Sequence, residues 1–161
     1  MKHTLLIAIA VLLGLCACSS IDCPVENVVR TLYVMKKPTL AADTLKDTLD
    51  IVSRRVDGTM VTLRGSLIQK DTIQVAIGYV NPEDTLFFNF RNGSYRATDT
   101  VWIKKDNRPH FESVDCAVAY FHTVTAVRCT NHAIDSIRLN NPSVTYDPRT
   151  ENFYLYLKAR N

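Results

Sequence analysis

The chain has 161 residues, 47% of them hydrophobic, and carries 19 Lys and Arg against 16 Asp and Glu, a formal net charge of +3. So even a balance does not suggest nucleic-acid binding, which usually demands clustered Lys and Arg. The length gives one ordinary domain with enough residues to bury a core of its own.

The N-terminus reads as an export signal over residues 1–17. Lys2 and His3 give a short basic start, and Leu5 to Leu15 form an apolar run interrupted by Gly14 alone. A membrane span needs roughly 20 apolar residues; this run has the length of a cleavable signal core, about 7–15. Leu15-Cys16-Ala17-Cys18 then resembles a lipobox, with Leu three residues before Cys18 and small Ala17 directly before it. The expected mature N-terminus is Cys18, carrying diacylglycerol and palmitate, with residues 18–27 as a lipidated tether. One acyl chain holds a membrane only marginally, so more than one is expected. Ser19-Ser20-Ile21-Asp22 lacks the acidic run that sends such chains to the cell exterior. The expected address is therefore the cell envelope, on the outer membrane facing the periplasm.

Residues 28–161 read as a single β-sandwich domain. Apolar side chains alternate along Val61, Leu63 and Leu67, along Ile73, Val75, Ile77 and Tyr79, and along Leu86, Phe88 and Phe90. The same period runs through Val114, Cys116, Val118 and Tyr120 and through Phe153, Leu155 and Leu157. Alternation of this kind marks half-buried strands. Asp57-Gly58, Asn81-Pro82, Asn92-Gly93, Asn141-Pro142 and Asp147-Pro148 punctuate the runs, and Asp-Gly and Asn-Gly between them signal hairpins. The pattern predicts an all-β, antiparallel, Ig-like sandwich of about eight to ten strands, since long helical crossovers are missing. A barrel is the alternative closure. Leu40 to Asp50 is the one helix candidate, or else a loop leading into a strand. The pairs Lys36-Lys37, Arg54-Arg55 and Lys104-Lys105 are expected on solvated turns and strand edges.

Beyond the signal and Cys18, three cysteines stay: Cys23, Cys116 and Cys129. An oxidising compartment permits one bond among them and leaves one thiol over. Cys23–Cys116 would close a long loop and tie the tether to the domain; Cys116–Cys129 would be local. Cys129 and His132, with His110 and His122 elsewhere, fall short of the paired four-ligand spacing of structural zinc. No metal or cofactor is expected.

Asp43-Thr44-Leu45, Asp47-Thr48-Leu49, Asp71-Thr72-Ile73, Asp84-Thr85-Leu86 and Asp99-Thr100-Val101 share one pattern, and Asp135-Ser136-Ile137 varies it. Asp favours turns, and Thr before an apolar residue starts a strand well. The triplets are also similar to the acceptor motif of the general protein O-glycosylation system of Bacteroidota, which would make Thr44, Thr48, Thr72, Thr85, Thr100 and Ser136 glycan acceptors.

Several segments carry a wider likeness. They are Asp99-Thr100-Val101-Trp102-Ile103, Pro109-His110-Phe111-Glu112-Ser113-Val114-Asp115-Cys116, Tyr120-Phe121-His122, Ile134-Asp135-Ser136-Ile137-Arg138-Leu139, Asn140-Asn141-Pro142-Ser143-Val144 and Glu151-Asn152-Phe153-Tyr154-Leu155-Tyr156-Leu157. Through them the chain resembles a family of small uncharacterised lipoproteins of Bacteroidota. The resemblance implies an envelope lipoprotein with a β-sandwich and a Cys23–Cys116 disulfide. Ala117 stands where that family commonly has glycine. It implies no activity.

The residues themselves point away from catalysis. There is no Gly-x-Ser-x-Gly elbow and no Gly-rich phosphate loop. The carboxylates of Glu83-Asp84 are expected in a turn. The chain is therefore expected to be a non-enzymatic interaction or assembly module for an outer-membrane protein partner, meeting it through sheet edges and loops. The alternative expectation is a carbohydrate-binding lipoprotein with an aromatic platform drawn from Tyr95, Trp102, Tyr146, Tyr154 and Tyr156.

Overall fold

The computed structural model describes Cys23, Pro24 and residues 27–159. The export signal, Cys18 and most of the tether lie outside these described residues. Ten strands form among them: β1 (Arg30–Met35), β2 (Thr48–Arg54), β3 (Met60–Leu67), β4 (Thr72–Ala76), β5 (Glu83–Asn92), β6 (Tyr95–His110), β7 (Ala119–Cys129), β8 (Ile134–Leu139), β9 (Ser143–Val144) and β10 (Glu151–Leu157). They build two sheets, ordered β4-β1-β10-β8 and β3-β2-β5-β6-β7-β9. One of the two curls into a half-barrel.

The alternation places the core between the sheets. Tyr33 and Met35 on β1, Ile73 and Val75 on β4, and Phe153 and Leu155 on β10 point inward from the smaller sheet. Leu49, Ile51, Leu86, Phe88, Phe90, Val101 and Ile103 meet them from the larger one. Tyr33 sits at the centre, edge-on to Phe88 at 5.6 Å and tilted against Phe153 at 4.9 Å. Rings packed this way add to the stabilisation from burial alone, and cutting Phe88 to Ala would cost about 3–5 kcal/mol.

Pairing departs from a wholly antiparallel sandwich at one place. β1 and β10 run parallel, with Tyr33 opposite Phe153 and Met35 opposite Leu155. Parallel neighbours need a long crossover, and here the whole chain between them supplies it, so no helix is required. The helix candidate Leu40 to Asp50 is a loop that runs into β2. Leu40 takes a left-handed φ of 66°, and the N–H groups of Asp43 and Leu45 donate to Met35 and Lys70 across the chain. Leu45 and Leu49 in this span are both in the core.

β6 is the longest strand, at 16 residues. Its pairing with β5 ends at Glu83–Lys104, whereas pairing with β7 continues to His110–Ala119. The β6–β7 hairpin therefore projects past β5, and its tip is the loop 111–118. The sequence period predicted a strand through Val114, Cys116 and Val118; these residues instead form that tip, with Val114 98% exposed. Their alternation reflects a disulfide and exposed apolar side chains, not a buried face. A bulge at Lys104/Lys105 gives β7 an extra residue. Its inward side chains change there from His122 and Val124 to Val127 and Cys129.

Candidate docking cleft

β3 and β4 are edge strands of the two different sheets and lie side by side without forming a ladder. At one point Arg64 closes the gap: its Nε donates to the Gln74 carbonyl at 2.5 Å, satisfying an outward-facing acceptor of β4. Towards the end of β4 the gap widens into a cleft of about 550 Å³. Leu63, Ile77 and Leu86 line it, Val56 and Val80 stand at its mouth, and Arg54 and Arg55 flank it from the end of β2. Among the described residues Arg54 makes no ion pair. The β2–β3 turn that carries Val56 depends on Gly58, whose φ of 87° only glycine adopts without strain.

The opposite wall is the segment 77–82, held by a buried polar network. Lys105 was expected in solvent; its side chain is instead wholly enclosed. The ammonium pairs with Asp84 Oδ1 at 2.8 Å and donates to the Asn81 carbonyl at 3.0 Å. Asp84 Oδ2 accepts the Gly78 N–H at 2.8 Å, and a Cβ at Gly78 would stand 3.3 Å from Asp84 Oδ1. Both carboxylate oxygens are thus engaged, as a buried charge requires. Glu83 and Asp84 open β5 instead of forming the expected turn, and Glu83 reaches Arg128 at 3.0 Å on the outer side.

His122 completes the wall. It is buried, with Nδ1 2.7 Å from Asn107 Oδ1. Asn107 Nδ2 donates to the carbonyls of Tyr79 and Asn81 at 2.8 and 3.2 Å, so its oxygen is the acceptor and His122 Nδ1 carries the proton. Burial first, and then the Lys105 charge, push the His122 pKa down to about 4. The ring is neutral at ordinary pH. Tyr79 then stacks flat on Tyr120 at 4.5 Å, joining the cleft wall to the projecting hairpin.

The residues singled out in the sequence scatter over the fold. Cys23 and Cys116 form a disulfide across 93 positions, the pairing implied by the family resemblance, and Cys129 is a free, half-buried thiol. Of the six hydroxyls in the Asp-Thr-apolar pattern, Thr44 and Thr72 are exposed, while Thr48, Thr85, Thr100 and Ser136 are half-buried in strands. The Asp of one triplet is a structural anchor. Asp99 is fully buried between Ala97 and Val101 in the inward row of β6 and accepts the N–H groups of His132, Ala133 and Ile134 at 2.7–2.8 Å and the Thr130 hydroxyl at 2.8 Å. Burial would raise its pKa, and these four donors outweigh that and hold it low.

The five aromatic residues considered for a sugar platform are spread over β6, β10 and the loop before β10. Tyr95 and Trp102 are on β6, with the Arg128 guanidinium 4.0 Å over the Trp102 ring. Tyr154 and Tyr156 share one face of β10, but Tyr156 is buried, and Tyr146 packs edge-on to Phe121 at 5.0 Å. The histidines are also apart: His110 lies 2.9 Å from Glu112, His122 meets Asn107, and His132 lies 3.3 Å from Asp99. Among the described residues no three His, Cys, Asp or Glu gather in a way that would hold a metal. The network of Asp84, Lys105, Asn107 and His122 had no signal in the sequence beyond a lysine placed in phase with Val101 and Ile103.

A protein-family model described as "Family of unknown function (DUF6452)" matches residues 48–157, more than half of the chain. No curated protein and no solved structure matches it.

Proposed function

The chain belongs to the DUF6452 family, and because that family brings no activity with it we propose, from the chain's own residues, a non-catalytic docking module of the cell envelope. Cys18 carries the lipid that holds it to a membrane. The cleft between β3 and β4 receives an extended segment of an outer-membrane protein partner. The supporting observation is the cleft itself: two sheet edges diverge over an apolar floor, and two arginines flank the opening. An unpaired edge offers backbone donors and acceptors to an incoming strand, and side pockets select its residues. The basic flank favours a segment with apolar side chains and a carboxylate near Arg54 and Arg55.

The test is crosslinking in intact cells with a photoreactive residue in place of Val56 or Val80. One dominant membrane protein should be captured, and the doubly charge-reversed chain Arg54→Glu/Arg55→Glu should capture at least about tenfold less, as loss of about 1.4 kcal/mol implies. Reproducible capture of no protein at either position rejects the docking role.

A further inference from the structure

Exposed apolar side chains gather at one end of the molecule, and it is the end where the tether joins. Phe111, Val114 and Val118 form the tip of the β6–β7 hairpin, exposed by 65%, 98% and 38%. The same tip holds Cys116, and through it Cys23. Single exposed apolar residues are ordinary on a protein surface, but a cluster on one projecting loop marks a contact. Behind the tip stand the stacked rings of Tyr79 and Tyr120, half-polar groups suited to a membrane–water boundary. The opposite end, where β1 finishes and β4 begins, carries Leu40 and Ile68 as its exposed large apolar side chains.

We propose that the 111–118 tip inserts into the headgroup region of the bilayer that holds the Cys18 lipid, and so fixes the orientation of the domain on the membrane. The proposal rests on the lipid-anchored reading above. Five peptide steps separate Cys18 from Cys23 and reach at most about 18 Å. The disulfide adds 5.5 Å between its Cα atoms, so Cys116 in the tip stays within about 24 Å of the anchor, whichever way the tether runs. At so short a range the tip meets the surface at high effective concentration, and three apolar side chains suffice where a free protein would need more. The tip's own ionisable side chains are Glu112 and Asp115; Arg108 and His110 stand on the strand leading into it, with His110 2.9 Å from Glu112. Burial of apolar groups, not attraction to anionic lipid, is the driving force. Insertion also presents the cleft mouth, at Val56 and Val80, to segments of a partner that lie close to the membrane.

A polarity-sensitive dye on Val114→Cys or on Leu40→Cys, each in a Cys129→Ser background, reads this in envelope membranes from cells expressing the whole chain. Emission at position 114 should shift to the blue and be quenched by nitroxide carried on lipid; emission at position 40 should do neither. Adding Phe111→Ser and Val118→Ser should abolish the shift at 114 while leaving the fold's circular dichroism unchanged. Water-like emission at both positions overturns the proposal. Palmitate labelling of Cys18 is scored separately. Should it be absent, the same labelled chains, held to phosphatidylethanolamine and phosphatidylglycerol vesicles by a polyhistidine tag replacing residues 19–22 and a nickel-chelating lipid, still decide whether the tip inserts.

Discussion

Lys105 Nζ lies 2.8 Å from Asp84 Oδ1, with no part of the lysine side chain in contact with solvent. The pair joins β6 to the start of β5 and fixes the cleft wall through Asn81 and Gly78. A buried pair gains little over an apolar replacement, but breaking it strands a charge. Lys105→Met alone should therefore cost about 3–5 kcal/mol in urea unfolding, and the double change Lys105→Met/Asp84→Leu should recover most of that loss. Equal loss in both would show that the residues act through something other than each other.

Acid should weaken the fold through His122. The pKa of His122 in the folded chain is about 4, below its ordinary 6.5. Between those values the unfolded chain binds the proton and the folded one does not, so stability falls as pH falls through this window and is fully present above it. The loss should reach on the order of 2–3 kcal/mol at pH 4. His122→Gln should flatten the profile between pH 6.5 and 4; a profile unchanged by that substitution would remove His122 as the cause.

Asp99→Asn tests the anchor of the β7–β8 connection. The amide keeps the shape but replaces one acceptor oxygen with a donor that faces N–H groups. The expected cost is about 2–4 kcal/mol, since hydrogen bonds to a charged group are worth about 1.5–3 each and do not add fully. Hydrogen exchange at Ala133 and Ile134 should rise together with that loss. Protection left intact would mean that these amides find another acceptor.

The Cys23–Cys116 bond closes a loop of 93 positions. In the chain-entropy picture it stabilises by on the order of 4–5 kcal/mol. Cys23→Ser should lower the melting temperature and make the tip readily cut by protease. A melting temperature within a degree or two of the parent would show that the bond positions the tether without stabilising the core.

If the chain is glycosylated in the folded state, Thr44 and Thr72 are the expected sites, because they are the two exposed hydroxyls of the pattern. Glycopeptide mass spectrometry on protein from the native host should find hexose-bearing peptides covering those residues and bare peptides covering Thr85 and Thr100. A glycan on Thr100, beside the buried Asp99, would contradict this and require attachment before folding.

The strands were legible where one face is buried and the other wet. Leu86, Phe88 and Phe90 on β5 and Ile73 and Val75 on β4 alternate and are buried, and Asn92-Gly93 turns β5 into β6 with Gly93 at a φ of 54°. What misled was apolar alternation without burial, at Val114 and Val118, because periodicity reports spacing and not what covers it. The β1–β10 pairing was hidden for a different reason: partners about 120 positions apart leave no local mark, and at Leu32 the backbone N–H donates to the Asn152 side-chain oxygen at 2.9 Å. The cleft was illegible as well. Its wall depends on a buried lysine and histidine whose neighbours come from three separate elements, and a polar residue in an inward row reads the same whether it is paired or on an edge.

The parallel contact of β1 with β10 also sets an order of assembly. The strand nearest the N-terminus gains its inner neighbour only when Glu151–Leu157 has arrived, so the smaller sheet stays open until the final stretch of chain is free. Contacts so distant in sequence form slowly. Losing β10 would leave β1 and β8 with no partner between them.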